Sequence, residues 1–232
     1  MVRPPHKSAH EFDSRRHCIV ASEYLHGRAT QSQAELYLRG RQALGQLNAD
    51  VSSINGHFAH LLGRFMPDSV FVLTVRPPMD WVAAYSRNHA WRAKVAPEWQ
   101  LLRRARFRPD LWPPRLADEA LVRRGLPSLD GLLFYWSTHV RGVLDALPPE
   151  RLVILRPEQL DTSAGRLARR LGWPDDSLAA HEERHATPIR FRAAQGVIEG
   201  LGERHVAECM ARQLAEVDWQ RLGMEPASPV RR

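Results

Sequence analysis

An α/β fold, with a parallel sheet flanked by helices, is predicted by three short apolar runs that each stop on a polar residue. Val70–Val75 (VFVLTV) ends in Arg76, Arg151–Arg156 (RLVILR) ends in an arginine followed by proline, and Cys18–Ser22 (CIVAS) ends in Ser22-Glu23. Buried strands of parallel sheets read as continuous apolar, β-branched runs rather than alternating ones. The spans between them are helical in pattern and long enough for crossover connections. Ligands of open α/β sheets bind at the carboxyl ends of the strands. Arg76 is therefore a candidate anion clamp, because its fork of donors matches phosphate or sulfate oxygens. The plainer alternative is a surface arginine paired with Asp80.

Along the chain, residues 1–17 lack periodicity and are expected to be poorly ordered, as is the tail 225–232. Gln31–Leu47 carries Ala34, Leu38, Leu44 and Leu47 near helical spacing, and Asn55–Phe65 forms a short helix that Pro67 ends. The strand Val70–Val75 leads through Pro77-Pro78 into a helix over Met79–Lys94. Residues 95–127, rich in Pro, Arg and Trp, read as an insertion or a loop over the site. Ser128–Leu147 is the clearest helix: Leu132, Leu133, Trp136, Val140, Val143, Leu144 and Leu147 make one apolar stripe. Pro148-Pro149 ends it and leads to the strand Leu152–Leu155. A helix over Thr162–Leu171 stops at Gly172 and Pro174, and a last helix is expected over 194–218.

A chain of 232 residues with 44% hydrophobic residues makes one domain with an ample core. No apolar window reaches the roughly 18 residues of a membrane span. The first residues lack the apolar centre of a signal peptide, and two cysteines make no disulfide framework. A reducing, cytoplasmic setting follows as the expectation. The formal charge of +7 is carried almost wholly by arginine, since Lys7 and Lys94 are the only lysines. Such basicity suits an anionic ligand, and base composition that enriches Arg, Ala, Leu and Pro together accounts for it equally well. The arginine-rich stretch 102–124 lacks the aromatic interleaving of a nucleic-acid-binding module, so no nucleic-acid partner is expected. His57 and His60 lie three apart and His181 and His185 four apart; neither pair has a third ligand, and no metal site is expected.

Three segments resemble a known family. FVLTVRPPMDWVAAYS is similar to the 3′-phosphate-binding strand-turn-helix of PAPS-dependent sulfotransferases, in which an arginine closes a strand, a proline follows and a serine sits on the next helix. FYWSTHVRGVLDALPPERLVILRPEQLDTSAGRLARRLGWP resembles the family's later helix-strand-helix, and CIVASEYL the Ser-Ser-Glu strand end of bacterial members. The three occur in the family's order and cover about residues 18–175. The resemblance implies a fold related to P-loop nucleoside-triphosphate hydrolases and sulfuryl transfer from PAPS, with PAP as product, to a hydroxyl or amine acceptor, either a small molecule or a carbohydrate.

By residue, the resemblance implies that Arg76 clamps the 3′-phosphate. The helix serine of the family falls at Ala84 here, so Ser86, two positions on, stands in for it. Glu23 becomes the general base for the acceptor proton, and Arg156 with Glu158 an ion pair that holds a turn. Sulfuryl transfer, like phosphoryl transfer, needs cations on the nucleotide and a base on the acceptor. The family's first strand and its glycine-rich phosphosulfate loop have no counterpart before Cys18, where His6-Lys7-Ser8 lacks both the glycine turn and the preceding apolar strand. The chain is accordingly expected to be N-terminally truncated by one βα unit, with exposed sheet edges and weak PAPS binding. The competing expectation is a non-catalytic relative that binds a nucleotide or a partner.

Overall fold

The computed structural model describes residues 8–10, 13–45, 49–89, 96–173 and 200–226. Within these, β1 (Ser8–His10) leads to α1 (Ser14–Leu25), α2 (Gln31–Gly45) and β2 (Ala49–Val51). A 3₁₀ turn, Asn55–Phe58, runs into α3 (Ala59–Phe65) and then β3 (Phe71–Thr74). Helices α4 (Pro78–His89), α5 (Pro97–Phe107), α6 (Glu119–Val122) and α7 (Leu129–Ala146) follow. The chain continues through β4 (Leu152–Leu155) and α8 (Leu160–Arg170), and α9 (Glu203–Gln213) comes last.

The fold is mixed α/β and mostly helical. Among the described residues the strands form two separate parallel pairs, β1 with β2 and β3 with β4. In the second pair Phe71 faces Leu152 and Thr74 faces Leu155. One further bond, from the Val75 N–H to the Leu155 carbonyl at 2.9 Å, carries that ladder to the edge of Arg76. Arg151 pins the pair from its other end. Its guanidinium donates to the Gly63 carbonyl at 2.8 Å, the Ser69 carbonyl at 3.1 Å and the Met66 carbonyl, tying β4 to the last turn of α3 and the loop after it.

Among the described residues two apolar clusters fill the interior. The larger surrounds α7, where Leu132, Leu133, Trp136, Val140 and Leu144 pack against Leu73, Val82, Leu152, Cys209 and Met210. The smaller gathers Cys18, Ala21, Ala34, Leu38, Ile54, Phe58, Leu61 and Leu102 from α1, α2, the 3₁₀ turn, α3 and α5. Each fully buried Leu or Phe contributes about 1.5–3 kcal/mol relative to exposure. Helix α7 starts where the sequence predicts: Ser128 is its N-cap, its Oγ accepting from the Gly131 N–H at 3.1 Å and donating to the Trp112 carbonyl at 2.7 Å.

Three expectations are corrected. Cys18–Ser22 is not a strand but the middle of α1. Its buried residues, His17, Cys18, Ala21 and Ser22, recur at helical spacing, and three of them are small enough for close approach to the neighbouring α5. Residues 14–17, expected to be poorly ordered, open that helix, and Ser8–His10 forms β1. Residues 97–107, read as loop, form α5, with Leu102, Ala105, Arg106 and Phe107 buried. The tail beyond residue 226 and the pair His181 and His185 lie outside the described residues.

Candidate functional site

Arg76 stands where β3 ends and α4 begins. Pro78 occupies the first turn of α4, where its fixed φ suits the helix and its missing N–H leaves no bond unmade. Asp80 in the same turn complements the positive end of the helix dipole. The Trp81 N–H reaches back to the Pro77 carbonyl at 2.8 Å, and the Trp136 indole N–H donates to the Arg76 carbonyl at 3.1 Å. The backbone at Arg76 is thus held on both sides while its side chain is exposed. Among the described residues it makes no ion pair, with Asp80 or any other carboxylate. An uncommitted guanidinium at the carboxyl end of a parallel strand is a ready anion contact.

Ser86 lies ten residues on, two turns inside α4. It is fully buried on the same face as Val82, and its Oγ has no partner among the described residues. The structure does not bring its hydroxyl to the surface beside Arg76. Glu23 sits near the end of α1 rather than at a strand end. Arg28 grips its carboxylate with both prongs, Nε to Oε2 and Nη2 to Oε1, each at 2.8 Å. That grip holds the carboxyl below its ordinary proton affinity. Helix α1 packs on α2, α5 and the 3₁₀ turn, whereas α4 packs on α7, so the helix that carries Glu23 and the helix that follows Arg76 contribute to different apolar clusters.

The expected pair of Arg156 with Glu158 is not formed. Arg156 follows β4 as Arg76 follows β3, and its guanidinium donates to the Gly223 carbonyl. Its own N–H is taken by Gln159 Oε1 at 3.0 Å.

Two polar clusters escaped the sequence reading. At the seam between the apolar clusters, Arg106 donates from Nε to His57 Nε2 at 2.8 Å and from Nη2 to the Ser53 carbonyl at 3.1 Å. It also lies over the Tyr135 ring, 5.0 Å from its centre. His139, one turn beyond Tyr135 on α7, completes the seam, and a Cβ at Gly56 would collide with its imidazole. Burial first, and the Arg106 charge second, hold His57 well below its ordinary pKa and His139 at about 4. Imidazoles so depressed are neutral at pH 7 and weak proton acceptors. The cluster joins the two halves of the core.

In the second cluster His205 Nε2 lies 2.9 Å from Asp118 Oδ1, with Cys209 beside the ring. The order Asp-His-Cys imitates a nucleophilic triad, but the geometry refuses the role. Cys209 is fully buried, its sulfur is 3.8 Å from both ring nitrogens rather than in line with one, and burial together with Asp130 pushes the thiol up to about 12. Asp118 instead ties three segments, accepting also from the Arg115 and Leu129 N–H groups at 2.9 Å each. Nothing short of these tertiary distances separates it from a catalytic set.

An open groove of about 260 Å³ lies between α1 and α2, lined by Arg16, Leu36, Tyr37, Gly40, Arg41 and Leu44 among others; none of Glu23, Arg76 or Ser86 borders it. Among the described residues no group of three His, Cys, Asp or Glu side chains could hold a metal ion, and no helix is long and apolar enough to cross a membrane. Comparison of the chain with protein-family models, with curated proteins and with solved structures finds no match.

Proposed function

We propose that the chain binds a PAPS-type nucleotide at the Arg76 edge and serves sulfuryl transfer to a hydroxyl or amine acceptor. One observation carries this reading: Arg76 is an exposed cation, without an ion pair among the described residues, on a braced turn between a parallel strand and a helix. The two segments most similar to sulfotransferases also supply the paired strands β3 and β4, which supports taking them together. In this reading the Arg76 fork holds the 3′-phosphate, the part of the nucleotide that these residues fit. Glu23 is the acceptor's base only when Arg28 releases it, and Ser86 reaches the nucleotide only when α4 shifts.

Those two conditions favour a second reading, a sulfotransferase-fold protein that binds the nucleotide without transferring sulfate. The arginines of the 102–124 stretch weigh against a nucleic-acid arm. Arg103 donates to the Gly125 carbonyl, Arg106 is buried, Arg108 pairs with Asp110, Arg115 with Asp130 and Arg123 with Glu119.

The test is titration with PAP while following the melting temperature. A ligand at a hundredfold excess over its Kd stabilises the native state by about 2.7 kcal/mol. Wild type should melt higher with PAP and Arg76→Ala should not; no shift at millimolar PAP would sink the nucleotide reading. Transfer of labelled sulfate from PAPS, lost in Glu23→Gln, distinguishes the enzyme from the binding protein.

A further inference from the structure

The geometry points to Trp136 as a positioning residue for the Arg76 anion clamp, locked by the C-terminal turn 217–224. This rests on reading Arg76 as that clamp. The indole of Trp136 is almost wholly buried, and its N–H finds its acceptor in the Arg76 carbonyl at 3.1 Å. That bond fixes the peptide plane after Arg76, while the bond from Val75 N–H to the Leu155 carbonyl fixes the strand before it. Pro77 and Pro78 restrict φ at the next two positions. The Cα–Cβ direction of Arg76 is therefore set before any ligand arrives, which lowers the ordering cost of binding.

The indole is in turn held from behind. Trp219 stacks on it, ring centres 5.8 Å apart and planes 25° from parallel. Trp219 belongs to a turn closed by the bond from Met224 N–H to its carbonyl at 3.0 Å. Arg221 staples that turn to the end of α7, donating to the Leu144 carbonyl at 2.6 Å and the Leu147 carbonyl at 3.0 Å. Arg156, at the end of β4, donates to Gly223 of the same turn. The C-terminal turn thus braces both strand-end arginines, one through an indole and one directly.

The decisive variant is Trp136→Phe, which keeps a buried ring and removes the donor. Two readouts are compared with wild type: hydrogen exchange of the amides of Arg76, Met79, Asp80 and Trp81, and affinities for PAP and for adenosine 5′-phosphate, which lacks the 3′-phosphate. Exchange there should rise about tenfold with β4 unchanged, and PAP should bind about five- to tenfold more weakly with adenosine 5′-phosphate unaffected. Equal loss of both nucleotides marks a merely structural role and overturns the inference, as does unchanged exchange. If Trp136→Phe fails to fold, Trp219→Leu, at a less buried position, should give the same selective loss; an unchanged ratio of the two affinities there also overturns it. Wild-type protein that prefers PAP no more than adenosine 5′-phosphate removes the clamp reading itself and with it the functional part of this inference. Hydrogen exchange in Trp136→Phe then still decides whether the indole holds the turn.

Discussion

Asp118 and Gly56 illustrate how much rests on single side chains. The Asp118 carboxylate is fully enclosed and accepts from two backbone N–H groups and His205. Replacing it with alanine leaves buried donors unmet, each costing about 1–3 kcal/mol. Asp118→Ala is expected to lose about 3 kcal/mol in urea denaturation, more than an alanine at the exposed neighbour Glu119. Gly56 is needed for space rather than for a special φ: any Cβ there meets His139. Gly56→Ala should cost about 1–3 kcal/mol, the range for overpacking, read as a lower denaturation midpoint. Neither residue is marked in the sequence, because a glycine in Ile-Asn-Gly-His and an aspartate in Leu-Ala-Asp-Glu look like ordinary turn residues. Arg76 is the opposite case. A cation ending an apolar run before two prolines announces its place locally, and the structure puts it there.

At the scale of elements, α7 and its flanks were the most legible part of the chain. An apolar stripe at helical spacing, a serine at the start and two prolines at the end need no distant partner to be recognised. The helix is expected to weaken by about 1 kcal/mol in Ser128→Ala, measured by chemical denaturation, since both bonds of that hydroxyl are lost. Strand Leu152–Leu155 falls on its predicted bounds, and β3 differs by one residue at each end. Helix α1 marks the boundary of this kind of reading. Five residues such as CIVAS suit a buried strand or a helix face equally, and packing against α5 chose the helix. The small residues Cys18, Ala21 and Ser22 on one face were the available signal. With α1 helical, Glu23 leaves the strand-end position on which its role as a base was built.

For the whole molecule the buried histidines predict a response to acid. Burial, then Arg41, holds His17 at about 4; burial, then Arg106, holds His139 at about 4 and His57 well below 6.5. In the unfolded chain each takes up its proton near 6.5. The native state binds fewer protons in between, so the stability these groups contribute is complete above about pH 6.5 and declines as pH falls toward 4. Urea midpoints should therefore drop between pH 6.5 and 4.5, and His17→Gln should drop less over that window. A flat profile would show that the histidines are not held neutral.

Runs, caps and prolines within some twenty residues determined the segments 70–89 and 128–155, and with them the exposed position of Arg76, because periodicity and backbone restriction act locally. Tertiary packing decided the rest. It made α1 and α5 helices, enclosed Ser86, and joined Arg106 to His57 across 49 residues and His205 to Asp118 across 87. Such pairs exist only once burial raises the penalty for an unmet polar group, and no pattern along the chain announces which partner will meet it.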